Sequence, residues 1–296
     1  MQLNELFPNV KFDEPMKNHI SFKVGGKADI FFEPDNVRDF IEFIRYVKEN
    51  NIPYIIMGNG TNMLVSDDGI RGAVIKLGDK ISSIEVIDDF IIAQCGAKLS
   101  EVAKIAAENS LTGFEFASGI PGSVGGAIAM NAGAYGKEMK DVVEEVEVLD
   151  SNLEYKVLKN KEMEFGYRKS AVEKHNYIIL SAKIKLMKGN KSDIKALMQE
   201  YDERRRSKQP LDLPSAGSVF KRPEGYYAGK LIEEAGLRGK TIGGAQVSEK
   251  HCGFIVNKGN ATAADVYDLI KYIQKTVYER FGVELETEVK LIGKFE

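Results

Sequence analysis

Tryptophan is absent from this 296-residue chain, histidine occurs three times and cysteine twice. With His19, His175 and His251 in unrelated contexts, a Ser-His-Asp triad has no support. Cys95 and Cys252 sit among small and apolar residues, a setting that fits two free thiols in a reducing compartment better than one disulfide. The formal net charge is only −3, so no large positive field would recruit nucleic acid or an anionic membrane. No apolar run approaches the length of a membrane span, and no basic stretch leads into an apolar one at Met1-Gln-Leu-Asn-Glu5. The expected location is the cytoplasm, and no metal site is expected. The dinucleotide fingerprint is missing as well, because no third glycine opens a helix at the required spacing.

What the chain does have is glycine in concentrated places. Ala117–Gly136 carries six glycines and no charged residue. Such density lets backbone approach a ligand closely and take up positive φ. The embedded Ile120, Val124, Ile128 and Met130, with the Asn131 amide, separate it from a flexible linker. Upstream, the apolar run Tyr54–Met57 leads into Gly58-Asn-Gly-Thr-Asn62, which offers backbone N–H groups as an anion-binding nest does. Alone, that loop reads equally as an ordinary turn. Paired with the second glycine segment, phosphate cradling is the better reading.

Periodicity supplies the elements. Lys27–Glu33, Tyr54–Met57 and Ala73–Leu77 read as strands, with a helical stripe at Val37, Phe40, Ile41, Ile44 and Val47 between the first two. Ser83–Ala93 reads as a hairpin turning at Asp88-Asp89, and Val142–Leu149 with Tyr155–Leu158 as a second. Tyr177–Met187 is a further strand. Ser100 is the expected cap of a helix burying Val102, Ala103 and Ala106, and Ser192 of a helix carrying Ile194, Leu197, Met198 and Tyr201. Thr262 and Asp265 form a capping box ahead of a helix with Val266, Leu269, Ile270, Ile273, Val277 and Phe281 on its inner face. The class is α+β, with mostly antiparallel pairing in the middle.

Three polar segments could serve chemistry. Arg168 follows an aromatic and a glycine in Phe165-Gly-Tyr-Arg-Lys169, although local sequence alone favours a surface arginine in a salt bridge. Ser218 follows Gly217 at a strand start, where a lone serine is most often a turn hydroxyl. Glu286 and Glu288 alternate on an expected final strand and so would share one face, with a solvated face the plain reading.

Taken in order, Gly58-Asn-Gly-Thr-Asn62, Pro121-Gly-Ser-Val-Gly-Gly126, Asn131-Ala-Gly-Ala-Tyr-Gly136, Tyr167-Arg168, Ala216-Gly-Ser218 and Glu286-Thr-Glu-Val289 closely resemble the UDP-N-acetylenolpyruvoylglucosamine reductase family, essentially end to end. The resemblance implies a two-part FAD-binding region of the vanillyl-alcohol-oxidase type and a C-terminal α+β substrate domain. The implied boundaries are 1–79 and 80–190 for the FAD region and 191–285 for the substrate domain, with 286–296 returning to the first part. It implies non-covalent FAD and NADPH as co-substrate. Gly58, Asn59, Gly60, Thr61 and Asn62 would hold the pyrophosphate. Gly119, Pro121, Gly122, Ser123, Gly125, Gly126 and Ala127 would run along the dinucleotide and the flavin.

The implied reaction is reduction of UDP-N-acetylglucosamine enolpyruvate to UDP-N-acetylmuramate in peptidoglycan precursor synthesis. Hydride from flavin N5 would reach the alkene, Arg168 and Glu288 would stabilise the enolate, and Ser218 would donate the proton. Glu288 would have to be protonated, or act through its partners, to favour an anion. Lys208, Arg222, Asn131 and Tyr167 are the implied substrate contacts, with Arg204–Arg206 nearby. Arg222 stands where other members have asparagine. No tyrosine-bearing insertion lies between Tyr167 and Lys191, which marks the shorter class. Two rivals share the nucleotide cradle: an FAD-dependent oxidase or dehydrogenase of a hydroxy acid or alcohol, and a non-catalytic nucleotide-binding module.

Overall fold

A computed structural model describes residues 3–295; the outermost residues of the expected terminal domains, 1, 2 and 296, lie outside it. The chain divides into two units. The first holds the chain up to Asn9, Phe32–Asn59 and Ile75–Arg205, and the second holds Val10–Phe31, Gly60–Val74 and the chain from Arg206 onward.

The first unit is built on a five-stranded antiparallel sheet in the order Tyr155–Lys159, Val143–Leu149, Ile178–Lys185, Phe90–Gln94, Ile84–Ile87. Both expected hairpins are present here. Register pairs Val146 with Ala182 and Ala182 with Ala93, so the period-two alternation buries Val146, Val148, Ala182, Ile184, Ile91 and Ala93. The expected strand Tyr177–Met187 ends at Lys185, and Met187–Lys188 pairs separately with Leu111–Thr112. The helix Val37–Glu49 starts at Asn36, whose side chain accepts from the Asp39 amide at 3.0 Å. Phe43, not Ile41, completes its buried face, because Phe43 stacks on Phe32 at 4.1 Å and meets Phe7 edge-on at 5.0 Å.

Two expected helix starts are corrected. The helix Leu99–Glu108 has Lys98 at its cap, with Ser100 inside the first turn. Its first amide, that of Leu99, donates instead to the Gly122 carbonyl at 3.1 Å. The helix Lys191–Lys208 begins under Asn190, whose side-chain oxygen accepts from the Ser192 amide at 2.9 Å and hydroxyl at 2.6 Å. Asn190 therefore does the work assigned to Ser192.

In the second unit, Val10–Pro15, the strand Lys27–Phe32 up to Phe31, and the first part of Ile70–Lys76 are sheet neighbours in that order. The antiparallel trio Thr241–Ile242, Ala245–Val247 and Ile255–Asn257 packs on the helix Ala263–Phe281. The Thr262–Asp265 capping box forms, and Gly282 closes the helix at φ 67°. The Asp67 carboxylate takes the Ala263 and Ala264 amides at 2.9 Å each. Val266, Leu269, Ile270, Ile273 and Val277 are buried as expected, whereas Phe281 is 38% exposed. Among the described residues no helix is long and apolar enough to cross a membrane.

The final strand is Lys290–Ile292, parallel to Met63–Val65. Glu286 and Glu288 precede it and flank Thr287, which forms an isolated antiparallel bridge with Phe220. Glu286 is exposed and paired with Lys221, while Glu288 is half-buried.

Candidate flavin and substrate site

In the first unit the two glycine segments meet. A Cβ at Gly58 would fall 2.2 Å from Ser123 Oγ, so the approach needs glycine. Asn59 Nδ2 donates to the Pro121 carbonyl at 3.3 Å. Ser123 caps the short helix Val124–Ala129, accepting from the Gly126 amide at 3.4 Å. The segment is anchored from beneath: the Val124 amide donates to Ala97 O and the Gly125 amide to Cys95 O, both at 2.8 Å. A Cβ at Gly125 would lie 3.0 Å from Cys95 Cβ. Burial pushes the Cys95 thiol up to about 12, so this cysteine is packing material and not a nucleophile. Both cysteines are buried and free.

Among the described residues, the amides of Asn59, Gly122 and Ser123 donate to no backbone carbonyl, and neither do those of Gly60 and Thr61 in the second unit. Gly60 has φ +61°. Unclaimed amides along a turn with a left-handed residue are what a phosphate requires.

Also in the first unit, Gly166 and Lys169 bridge each other, with Gly166 N to Lys169 O at 3.0 Å, leaving Tyr167 and Arg168 at the tip. Arg168 is left-handed at φ 56°, an uncommon conformation for a residue with a long side chain. Its guanidinium lies 5.3 Å from the Tyr167 ring centroid, and Tyr167 is exposed. The turn is held by Asn131, which donates to the Gly166 carbonyl at 3.0 Å and to Glu138 at 3.0 Å, and accepts from the Lys140 amide at 2.9 Å. Asn131 is 0% exposed. The expectation of a substrate contact there is therefore corrected. Its amide is consumed in fixing the arginine's turn, a role that conveys position and not binding.

The second unit brings Ser218 and Glu288 onto adjoining segments. Ser218 bridges Phe254, and the Val219 carbonyl next to it accepts the Glu288 amide at 2.7 Å. Asn62 joins them: its side chain donates to the Glu288 carbonyl at 3.0 Å, and its own carbonyl accepts from the Lys290 amide at 3.0 Å. Lys208 is exposed at the end of its helix. Arg222 is exposed too, its guanidinium 3.9 Å from the Tyr227 ring centroid and its Nε 3.3 Å from the Tyr226 carbonyl.

The run Arg204–Arg206 is not one cation cluster. Arg204 pairs outward with Glu200 at 2.5 Å, one turn back. Arg205 is half-buried against Gly119, where a Cβ would meet its Cδ at 3.2 Å. Sequence reading did not single out this arginine; the only local signal is that Tyr201 precedes it by one helical turn.

Comparison with known proteins turns on this same material. The profile described as UDP-N-acetylenolpyruvoylglucosamine reductase, C-terminal domain, matches residues 209–292, and that of an FAD-binding domain matches residues 28–156. The UDP-N-acetylenolpyruvoylglucosamine reductase of Caldanaerobacter subterraneus subsp. tengcongensis is 58% identical over 282 residues, 95% of this chain and 93% of that protein. The chain belongs to the UDP-N-acetylenolpyruvoylglucosamine reductase family. The Clostridioides difficile reductase is 56% identical, covering 97% of this chain and 94% of its own length. The Thermus caldophilus reductase crystal structure superimposes with a TM-score of 0.82 at 34% identity, over 96% of this chain and 98% of that one. A glucose dehydrogenase, Phl p 4.0202, shares the fold over 62% of this chain and 42% of its own, with a TM-score of 0.50 at 15% identity.

As a member of the reductase family, the chain is an FAD-dependent oxidoreductase of α+β class. The residues present fit that cofactor: a Gly58–Ser123 approach that a methyl would block, and amides left for a diphosphate. The hydroxy-acid oxidase and the non-catalytic module are both set aside by near full-length identity to reductases.

Proposed function

We propose that this protein reduces UDP-N-acetylglucosamine enolpyruvate to UDP-N-acetylmuramate, a step in peptidoglycan precursor synthesis, with NADPH as the electron source. The observation that carries the reading is the Ser218–Glu288 juxtaposition, made by the 2.7 Å bond from the Glu288 amide to the Val219 carbonyl. FAD, when bound over the glycine segments, supplies the hydride. Addition of hydride to the terminal alkene carbon leaves negative charge shared between the neighbouring carbon and the carboxylate. Arg168 would pair with that carboxylate through its planar fork, and its turn, fixed by Asn131, limits where the fork can point. Ser218 would give its hydroxyl proton to the carbon, completing addition of one hydride and one proton across the double bond. Glu288, as a protonated carboxyl or through its partners, would join Arg168 in stabilising that charge. Lys208 and Arg222 are the proposed diphosphate contacts, and Tyr167 a further proposed substrate contact.

The test is the visible spectrum of the purified protein before and after anaerobic NADPH, then with the enolpyruvyl nucleotide sugar. Bleaching by NADPH and recovery on adding the sugar is the expected result. A bound flavin that NADPH cannot bleach, or that recovers without the sugar, would overturn the reading.

A further inference from the structure

The first unit holds a guanidinium whose charge is not matched by its own surroundings. Arg205 is half-buried on the last turn of Lys191–Lys208, and burial lowers its pKa from the usual arginine value. Among the described residues its guanidinium makes no hydrogen bond or ion pair; Tyr135 and Asp202 act on it only through space. Its neighbour Arg204, by contrast, has Glu200. Partial burial of a cation with no anion in hydrogen-bonding range costs solvation, which a bound anion would offset.

The position of Arg205 is imposed and not incidental. Tyr201, one turn earlier on the same helix face, stacks on Tyr135 with ring centroids 3.9 Å apart and planes within 5°. Tyr135 OH then donates to the Tyr201 carbonyl at 2.8 Å. Tyr135 itself is held left-handed at φ 55°, just before Gly136. This clamp ties the helix to the glycine segment's far end and lays Arg205 over its near end. There a Cβ on Gly119 would stand 3.2 Å from Arg205 Cδ and 3.6 Å from Nη1.

We propose that Arg205 is the charge partner of an anionic group of the bound flavin cofactor, either its diphosphate or the reduced ring, and that the Tyr135–Tyr201 stack is the positioning element that aims it. The inference rests on the flavin reading above. Gly119 favours the cofactor over the nucleotide sugar, because it begins the same backbone segment whose Gly122 and Ser123 amides are unclaimed. Tyr135→Phe, which removes the hydroxyl bond but keeps the ring, should weaken FAD binding less than loss of Arg205 does.

The experiment compares holoenzyme of Arg205→Gln, Arg205→Lys and the outward-facing control Arg204→Gln for FAD dissociation constant and midpoint potential. Far-ultraviolet circular dichroism confirms that each is folded. Arg205→Gln should lose at least about tenfold in FAD affinity, Arg205→Lys should recover part of it, and Arg204→Gln should match wild type. Equal loss for oxidised and reduced FAD, with the potential unmoved, assigns Arg205 to the diphosphate. A potential about 30 mV more negative for each tenfold preferential loss of the reduced form assigns it to the ring. If folded Arg205→Gln keeps both affinity and potential, including when only KM for the nucleotide sugar rises, the inference is overturned while the reductase reading stands. Should Arg205→Gln not fold, Arg205→Lys measured against Arg204→Gln decides by the same criteria. A wild-type protein that binds no FAD would overturn both readings.

Discussion

The glycine segment of the first unit and the paired Ser218 and Glu288 segments of the second solve opposite problems. Around Gly58, Gly122 and Ser123 the polar groups are backbone amides, and what matters is that nothing protrudes. Around Ser218 and Glu288 the groups proposed to act are side chains, and backbone pairing joins the segments that carry them. A surface made of backbone is sensitive to a single added methyl and indifferent to side-chain chemistry. A surface made of side chains behaves the other way round. The contrast teaches where each kind of mutation should register: in cofactor affinity for the first region, in turnover for the second.

The largest effect that sharpens the contrast is Ser218→Ala. Flavin content and reduction by NADPH should be preserved, while steady-state turnover falls about 10²–10⁴-fold. A variant that loses flavin would break the division between regions. Arg168→Ala should behave alike in kind, sparing flavin while slowing reoxidation by the nucleotide sugar about 10²–10³-fold in stopped-flow traces. Normal reoxidation would remove Arg168 from the reaction.

Gly58→Ala inverts the pattern. Its methyl would sit 2.2 Å from Ser123 Oγ, so about 1–3 kcal/mol of overpacking should appear as weaker FAD binding and a lower Tm. Ser123→Ala in the same chain removes the clashing atom and leaves Cβ contact at 3.3 Å, so the double variant should be better than the sum of the singles. Strict additivity would mean the two glycine segments do not touch as described. Thr262→Ala lies in neither region and should cost about 1 kcal/mol in urea unfolding, with kcat unchanged. The smallest effect is at Cys95. With its thiol pushed up to about 12 by burial, it stays protonated and should not react with a disulfide reagent at neutral pH until the protein unfolds. Fast labelling of native protein would contradict that packing.

Much of this was legible in advance where the signal is local. The Val37–Glu49 stripe, the Thr262–Asp265 box and the two hairpins rest on spacing and turn chemistry within a few residues, and they appear with boundaries close to those expected. The misplaced details share a cause. Asn190 displaced Ser192, and Gly122 displaced Ser100, because a cap is won by whichever acceptor geometry favours, and for Gly122 that acceptor is distant in sequence. Asn131 is expected to be a substrate contact because the family resemblance implies it. Only its bonds to Gly166, Glu138 and Lys140 reveal a buried strut. Glu286 and Glu288 are expected on the final strand, which begins at Lys290; they flank the isolated bridge at Thr287 instead.

By itself, then, the amino-acid order determined the helices, hairpins, glycine segments and the family they announce, since short-range periodicity and ordered motifs survive without coordinates. Tertiary structure alone decided that Gly58 abuts Ser123, that Asn62 ties to Glu288, and that Arg205 lies over Gly119 with Tyr201 stacked on Tyr135. Each of those contacts joins residues far apart along the chain. Their energies come from packing and desolvation that have no counterpart until the chain has closed around them.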